Sequence, residues 1–385
     1  MELTARHYRT GRLVRISIGD GLIRAVDEIA GGEEDVPWVA PGLVDLQVNG
    51  FHGRDFTRPT PEAVSDVARH LLRRGVTTFL PTVITSSATG IRRALAEIAA
   101  QVHRDGLAAS VVAGIHLEGP FISPKAGARG AHPRRHVRPP DWDLFLRWQD
   151  AAQGLIRIVT LAPEWPEAPA FIRKLTRAGV HAAIGHTIAS QNQIAEAVEA
   201  GARLSTHLGN GCPALLPRHP NLLWDQLAED RLWASMICDG FHLPAPVVKT
   251  ILRVKGRRAF LISDVSPLAG LEPGPYRMAS GQKVVLTPSG ALMLAGSNQT
   301  SAHGLLAGSA RTLTDGVGQL VQWNMAVLAD AWDFASVLPS RFLGLPSRAG
   351  LRQGAPADLV LFRLQGESPH ILQVFKAGTP ITPDR

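Results

Sequence analysis

Hydrophobic positions along this chain keep two different periods. In the first thirty residues they come in short runs: Leu13–Ile18 and Leu22–Val26 flank a Gly-Asp-Gly turn at 19–21, the pattern of a β-hairpin. Beyond that point, short apolar runs alternate with stretches of helical spacing, which argues for βαβ units and a parallel sheet. Eight runs are candidate strands: Leu43–Val48, Val76–Leu80, Val111–His116, Ile156–Leu161, His181–Gly185, Arg203–His207, Leu232–Cys238 and Ala259–Asp264. Eight is the closing number of a (β/α)8 barrel.

The helices between them carry local signals. Over 61–74, Val64, Val67, Ala68, Leu71 and Leu72 fall on one face, with Thr60 as the expected N-cap and Pro61 as the first helical residue. Ser190 and Gln193 form a capping box. Gly75, Gly179 and Gly201 each stand between a helical run and the next strand, the place of a left-handed cap. After the eighth strand, Val284–Leu286 and Ala291–Leu294 flank Pro288-Ser289-Gly290 as a second hairpin, and helices are expected over about 301–338. The tail, GAPADLVLFRL and then ILQVFKAG, returns to a strand pattern.

The expected fold is therefore α/β: a (β/α)8 TIM-type barrel over 41–345 with a β-hairpin insertion near 276–295, and a small β-module built from both chain termini, 1–40 and 346–385. A barrel alone takes about 250 residues, so the 385 present leave room for such a module. A doubly wound open sheet is the alternative, but no GxGxxG follows a strand to support it.

Composition narrows the partners. No apolar run is long enough to span a bilayer, and MELTARHYRTGRLVRISIG lacks the apolar core of a secretory signal. Cys212 and Cys238 are the only cysteines and have no CxxC spacing, which excludes a thiolate zinc knuckle and a disulfide framework. A reducing cytoplasm is the expected location. The net charge of +7 is scattered; only HPRRHVR at 132–138 is dense, and it has no interleaved aromatics to stack bases. It reads as a solvated basic loop, or as an attraction for a small anionic substrate. Neither a nucleic-acid nor a membrane partner is expected.

Active sites of such barrels sit at the C-terminal ends of the strands. Those ends deliver Glu118 from the third strand, His186 from the fifth, His207 from the sixth and Asp264 from the eighth. One Glu and two His complete the ligand set of a catalytic zinc-like site with an open position for water, and Asp264 remains as an acid–base group. Each residue alone has a structural reading, since Glu118 could cap a turn and Asp264 a helix. Four matching strand ends make the combined reading stronger.

The stretches PGLVDLQVNG (41–50), GIHLEGPFISPKAGARGAHP (114–133), IGHT (184–187), STHLGNGCP (205–213), CDGFHL (238–243) and LISDVSPLAG (261–270) occur in order, followed by ADLV at 357–360. In this series the chain resembles the N-acetylglucosamine-6-phosphate deacetylases of the metal-dependent amidohydrolase superfamily. The resemblance implies one divalent metal ion per chain, Zn2+ or Fe2+, on Glu118, His186 and His207, with Asp264 as the catalytic acid–base group. It implies that His132 polarises the acetyl carbonyl. Asn210 and Gly211 would contact the substrate phosphate, His242 the sugar or phosphate, and Arg218 the phosphate across a homodimer interface. The implied substrate is a phosphorylated amino sugar.

Two departures stand out. Many amidohydrolases carry an HxH pair on the first strand; here the positions are Gln47 and Asn49, and carboxamides are poor ligands for a zinc-like ion. Gly209 stands where relatives carry a larger residue, with Cys212 close behind, which leaves the hexosamine open. The cysteines read as buried or pocket-lining thiols rather than nucleophiles. Rival readings are deacetylation of a galactosamine-type or unphosphorylated sugar or of an N-acyl amino acid, and a non-catalytic scaffold that would have lost these residues.

Overall fold

Eight parallel strands lie in chain order in one sheet of the computed structural model, which describes residues 1–31, 35–278, 280–296 and 305–381. They are Leu43–Val48, Val76–Ile84, Ile115–Glu118, Ile156–Leu161, His181–Ile184, Leu204–Ser205, Trp233–Ile237 and Ala259–Ile262. The last returns to the first: the Asn49 N–H donates to Val265 O at 2.9 Å, and Val48 bridges Val265 in parallel. The sheet is thus a closed (β/α)8 barrel, not a doubly wound open sheet. Its strands are buried almost throughout, because helices cover them outside and side chains fill the interior.

The interior has two halves. From the N-terminal strand ends inward, Val44, Leu46, Leu80, Ile158, Ala183, Leu204, Ile237, Phe260 and Ile262 form one apolar cluster with Leu338, Phe342 and Leu343. The last three lie on the helix Val337–Leu343, which plugs that end. Phe342 packs on Trp233 and His181, which begin the seventh and fifth strands. Polar side chains occupy the other end.

Both ends of the chain build a second sheet of seven strands, in the order Thr379–Ile381, Ser368–Lys376, Leu359–Gln365, Trp38–Pro41, Glu2–His7, Leu13–Gly19 and Leu22–Glu28. Its seam is the antiparallel pairing of Leu359–Phe362 with Trp38–Pro41. A separate three-stranded antiparallel sheet, Gly274–Arg277, Lys283–Leu286 and Leu292–Leu294, contains the expected insertion hairpin and one further strand.

Several expected elements differ in detail. The third strand begins at Ile115, since 106–111 form a short helix that Asp105 caps through the Leu107 and Ala108 N–H groups. The second strand continues through Pro81 to Ile84. The helix expected over 61–74 spans Ala63–Leu72, and Thr60 is not its cap. Gln101 from the next helix instead accepts from the Val64 N–H at 2.8 Å. The capping box at Ser190 and Gln193 forms as expected. Helices of the region 301–338 span Leu313–Gln322, Leu328–Phe334 and Val337–Leu343, while residues 301–304 lie outside the described residues. Among the described residues, no helix is long and apolar enough to cross a membrane.

Candidate metal centre and active site

Glu118 closes the third strand, and His186, His207 and Asp264 each lie just beyond the end of theirs. The last three share an unusual backbone: φ is +50° at His186, +33° at His207 and +50° at Asp264. Side chains with a Cβ rarely enter this left-handed region, and each such residue costs on the order of 1–3 kcal/mol. The surrounding barrel over-determines these turns and brings the side chains to one buried point.

Glu118, His186 and His207 present ligand atoms that all lie within 4.8 Å of one another. His207 Nε2 is 3.0 Å from Glu118 Oε1 and 3.1 Å from His186 Nε2, and His186 Nε2 is 3.3 Å from Glu118 Oε1. Donors around a tetrahedral centre with bonds of about 2.0–2.1 Å would stand roughly 3.3 Å apart, so the spacing fits a zinc-sized ion. His186 Nδ1 donates to Ala128 O at 2.9 Å, which leaves its Nε2 bare for a ligand bond. Burial opposes ionisation of Glu118, but the two imidazoles outweigh it and hold its carboxyl well below the usual range. Burial likewise opposes charge on His207, and Glu118 overrides it. Such a site favours a cation. Gly211 allows this convergence: with φ at +60°, a Cβ there would fall 2.9 Å from His186 Nδ1 and 3.0 Å from His207 Cε1.

Asp264 stands beside the cluster. Gln47 Nε2 donates to both Glu118 Oε1, at 2.9 Å, and Asp264 Oδ1, at 3.0 Å. Asn49 Nδ2 donates to Asp264 Oδ1 at 2.8 Å. The two carboxamides on the first strand therefore aim the carboxylates by hydrogen bonding. Burial, with the Glu118 charge adding to it, pushes the Asp264 carboxyl up. A carboxylate with a raised pKa, beside a cation site, is equipped to take up and return a proton.

His132 meets the His186 ring edge-on at 4.3 Å, and its Nδ1 bonds Thr85 Oγ1 at 2.8 Å. Burial, reinforced by the charge of His186, lowers its pKa to about 3, so it is neutral at pH 7. Asn210 N–H donates to His207 O at 2.9 Å, and its side-chain nitrogen is buried without a partner. Gly211 O accepts from the Thr187 N–H. The His242 side chain is only 7% exposed and is held by Asp239, with Nδ1 2.7 Å from Oδ2. Arg218 is exposed and has no hydrogen bond or ion pair among the described residues. Neither cysteine is an activated nucleophile: burial raises the Cys212 pKa and pushes that of Cys238 up to about 12.

Sequence reasoning singled out neither Thr85 nor Asp239. Pro81 made the second strand look finished before it reached Thr85. Asp239 lies inside CDGFHL, three residues before His242, and that spacing was the available signal. The basic stretch 132–138 holds a 3-10 turn, Arg134–His136, with Arg134 and Arg135 exposed, as a solvated loop would be.

No family model matches the chain. Individual proteins do. It is 35% identical to the N-acetylglucosamine-6-phosphate deacetylase of Bos taurus, over 88% of this chain and 82% of the relative. It is 30% identical to the N-acetylgalactosamine-6-phosphate deacetylase of Escherichia coli O157:H7, over 94% and 93%. The solved structure of a Mycobacterium smegmatis N-acetyl-D-glucosamine-6-phosphate deacetylase mutant, in complex with N-acetyl-D-glucosamine-6-phosphate, superposes with a TM-score of 0.87 at 32% identity, covering 99% of each chain.

Proposed function

The chain belongs to the N-acetylglucosamine-6-phosphate deacetylase family, and from that premise we propose that it hydrolyses the acetamide of N-acetylglucosamine 6-phosphate to glucosamine 6-phosphate and acetate. The observation that carries this reading is the meeting of Glu118, His186 and His207 at one buried point, with Asp264 tied to Glu118 through Gln47.

In this reading Glu118, His186 and His207 hold one divalent ion, Zn2+ or Fe2+. Bound there, the ion would supply an acidified water and a Lewis acid for the acetyl oxygen. Asp264 takes the proton as water attacks the acetyl carbon. It then returns that proton to the sugar nitrogen, which would otherwise leave as a poor amide anion. His132, kept neutral by burial, donates from Nε2 to the developing oxyanion when Thr85 donates to its Nδ1. Asn210, Gly211 and His242 bind the phosphorylated sugar.

Arg218 reads the phosphate from the partner subunit of a homodimer. Its exposure supports this, as does the neighbouring apolar surface: Leu215 is 88% and Trp224 53% exposed. The enzyme works in the cytoplasm, where free thiols such as Cys212 and Cys238 persist. Residues 41–345 act as the catalytic barrel, and 1–40 with 346–385 act as its β-module, in keeping with the seam between the chain ends.

The test is acetate release from a panel of N-acetylhexosamines, each with and without 6-phosphate, using metal-loaded protein. The expected result is highest kcat/KM for N-acetylglucosamine 6-phosphate and one metal equivalent by elemental analysis. Preference for the galactosamine epimer would move the substrate to that of the Escherichia coli relative. No acetate from any phosphorylated member would overturn the reading.

A further inference from the structure

Asp239 lies two residues beyond the seventh strand, is 9% exposed, and uses both oxygens fully. Oδ1 accepts from the Phe241 and His242 N–H groups, each at 2.9 Å. Oδ2 accepts from His242 Nδ1 at 2.7 Å and from Ser309 Oγ at 2.9 Å. Ser309 works in two directions, because its N–H also donates to Asp264 O at 3.0 Å. One carboxylate therefore ties the His242 ring to the loop that carries Asp264.

We propose that Asp239 is a positioning residue for the deacetylation: it fixes the tautomer and the aim of His242 toward the phosphorylated sugar. The proposal rests on the activity and on the role of His242 given above. A carboxylate can only accept from an imidazole Nδ1, so that nitrogen must carry a proton. Nε2 is then the one ring atom left for the substrate. A neutral imidazole with this tautomer presents a lone pair there, and a charged one presents an N–H. An unsupported histidine would divide its time between two tautomers and several rotamers. Burial opposes ionisation of Asp239, but the His242 charge and the hydrogen bonds it receives outweigh this and keep the carboxyl ionised. Asn at position 239 would keep the size and could still accept from the peptide N–H groups. Its amide, turned toward His242, would demand an acceptor at Nδ1 and move the proton to Nε2.

The test compares zinc-loaded wild type, Asp239→Asn, His242→Ala and the double variant, with N-acetylglucosamine 6-phosphate as substrate. Asp239→Asn should lower kcat/KM by about tenfold to a hundredfold, the usual scale for a lost charge-assisted contact. In the His242→Ala background the same change should cost less than about twofold, because the two residues act as one unit. Equal losses in both backgrounds would make Asp239 a strut and overturn the proposal. Ser309→Ala, which keeps the carboxylate, should show the same pattern at smaller amplitude and serves if Asp239→Asn does not fold. A readout independent of turnover is the 15N spectrum of His242, assigned by its absence in His242→Ala. Nδ1 should be protonated in wild type and lose that proton in Asp239→Asn. An unprotonated Nδ1 in wild type would overturn the tautomer claim even in an active enzyme. An inactive wild type with a protonated Nδ1 would instead sink only the activity reading.

Discussion

The two ends of the barrel are made by the same eight strands and obey opposite rules. At the N-terminal end, Leu338, Phe342 and Leu343 seal an apolar cluster drawn from seven of the strands. At the C-terminal end, Glu118, His186, His207 and Asp264 crowd charged and polar atoms together, three of them on left-handed backbone. The plug stabilises by removing apolar surface from water. The mouth carries strain and desolvated charge that the rest of the fold must hold in place. What one end contributes in stability, the other converts into a poised site.

Substitutions at the two ends should separate these roles. Asp264→Asn should leave metal content and melting temperature near wild type and lower kcat by about 10⁴ or more, because one group serves as base and then as acid. Activity within a few-fold of wild type would remove Asp264 from the chemistry. Phe342→Ala should do the reverse. Loss of a buried aromatic typically costs about 3–5 kcal/mol, read by chemical denaturation, while the folded fraction keeps its kcat. Damage to kcat without loss of stability would break the division between the ends.

Between the ends lies Asp45, fully buried, with one oxygen accepting from the Gln47 and Ser263 N–H groups and the other lacking a partner. Burial pushes its pKa up to about 7. An unfolded Asp titrates near about 3.9, so the folded state holds the proton more tightly. The stability this group contributes is complete below about pH 4 and is lost as pH rises to about 7. Against Asp45→Asn, which cannot ionise, wild type should lose roughly 2–3 kcal/mol of unfolding free energy between pH 5 and 8. Parallel pH profiles for the two proteins would mean that Asp45 does not titrate on folding. The smallest effect should fall at the rim. Arg218→Ala should raise KM for the phosphorylated substrate by about 10- to 150-fold with little change in kcat. Mixing Arg218→Ala with Asp264→Asn subunits should restore part of the activity if Arg218 crosses the dimer interface. No recovery despite proven exchange would mean that Arg218 acts within its own subunit or not at all.

The strands were legible because buried parallel strands are short apolar runs with little else to mimic them. Leu43–Val48 and Ile156–Leu161 match residue for residue. The site residues were legible because a polar group at the end of such a run has few structural reasons to be there, as with Glu118 and His207. Long-range partners were not legible. The Val64 N–H is satisfied by Gln101, a helix away, and no local pattern encodes that. Gln47 and Asn49 read as the absence of a second metal's ligands, and nothing in their spacing showed that they also aim Glu118 and Asp264. A chain read in one dimension shows which residues are unusual, but not which of them will touch.

The seam between the chain ends also sets a timetable. Trp38–Pro41 pairs with Leu359–Phe362, so one side of this strand has no partner until synthesis has passed residue 362. At about 5–20 residues per second, the ribosome delivers the missing strand roughly 15–60 s later. For that interval the growing chain carries an open sheet edge, which can pair with any other strand it meets. Leu359–Phe362 thus covers an edge that the strands of residues 1–41 would otherwise leave open.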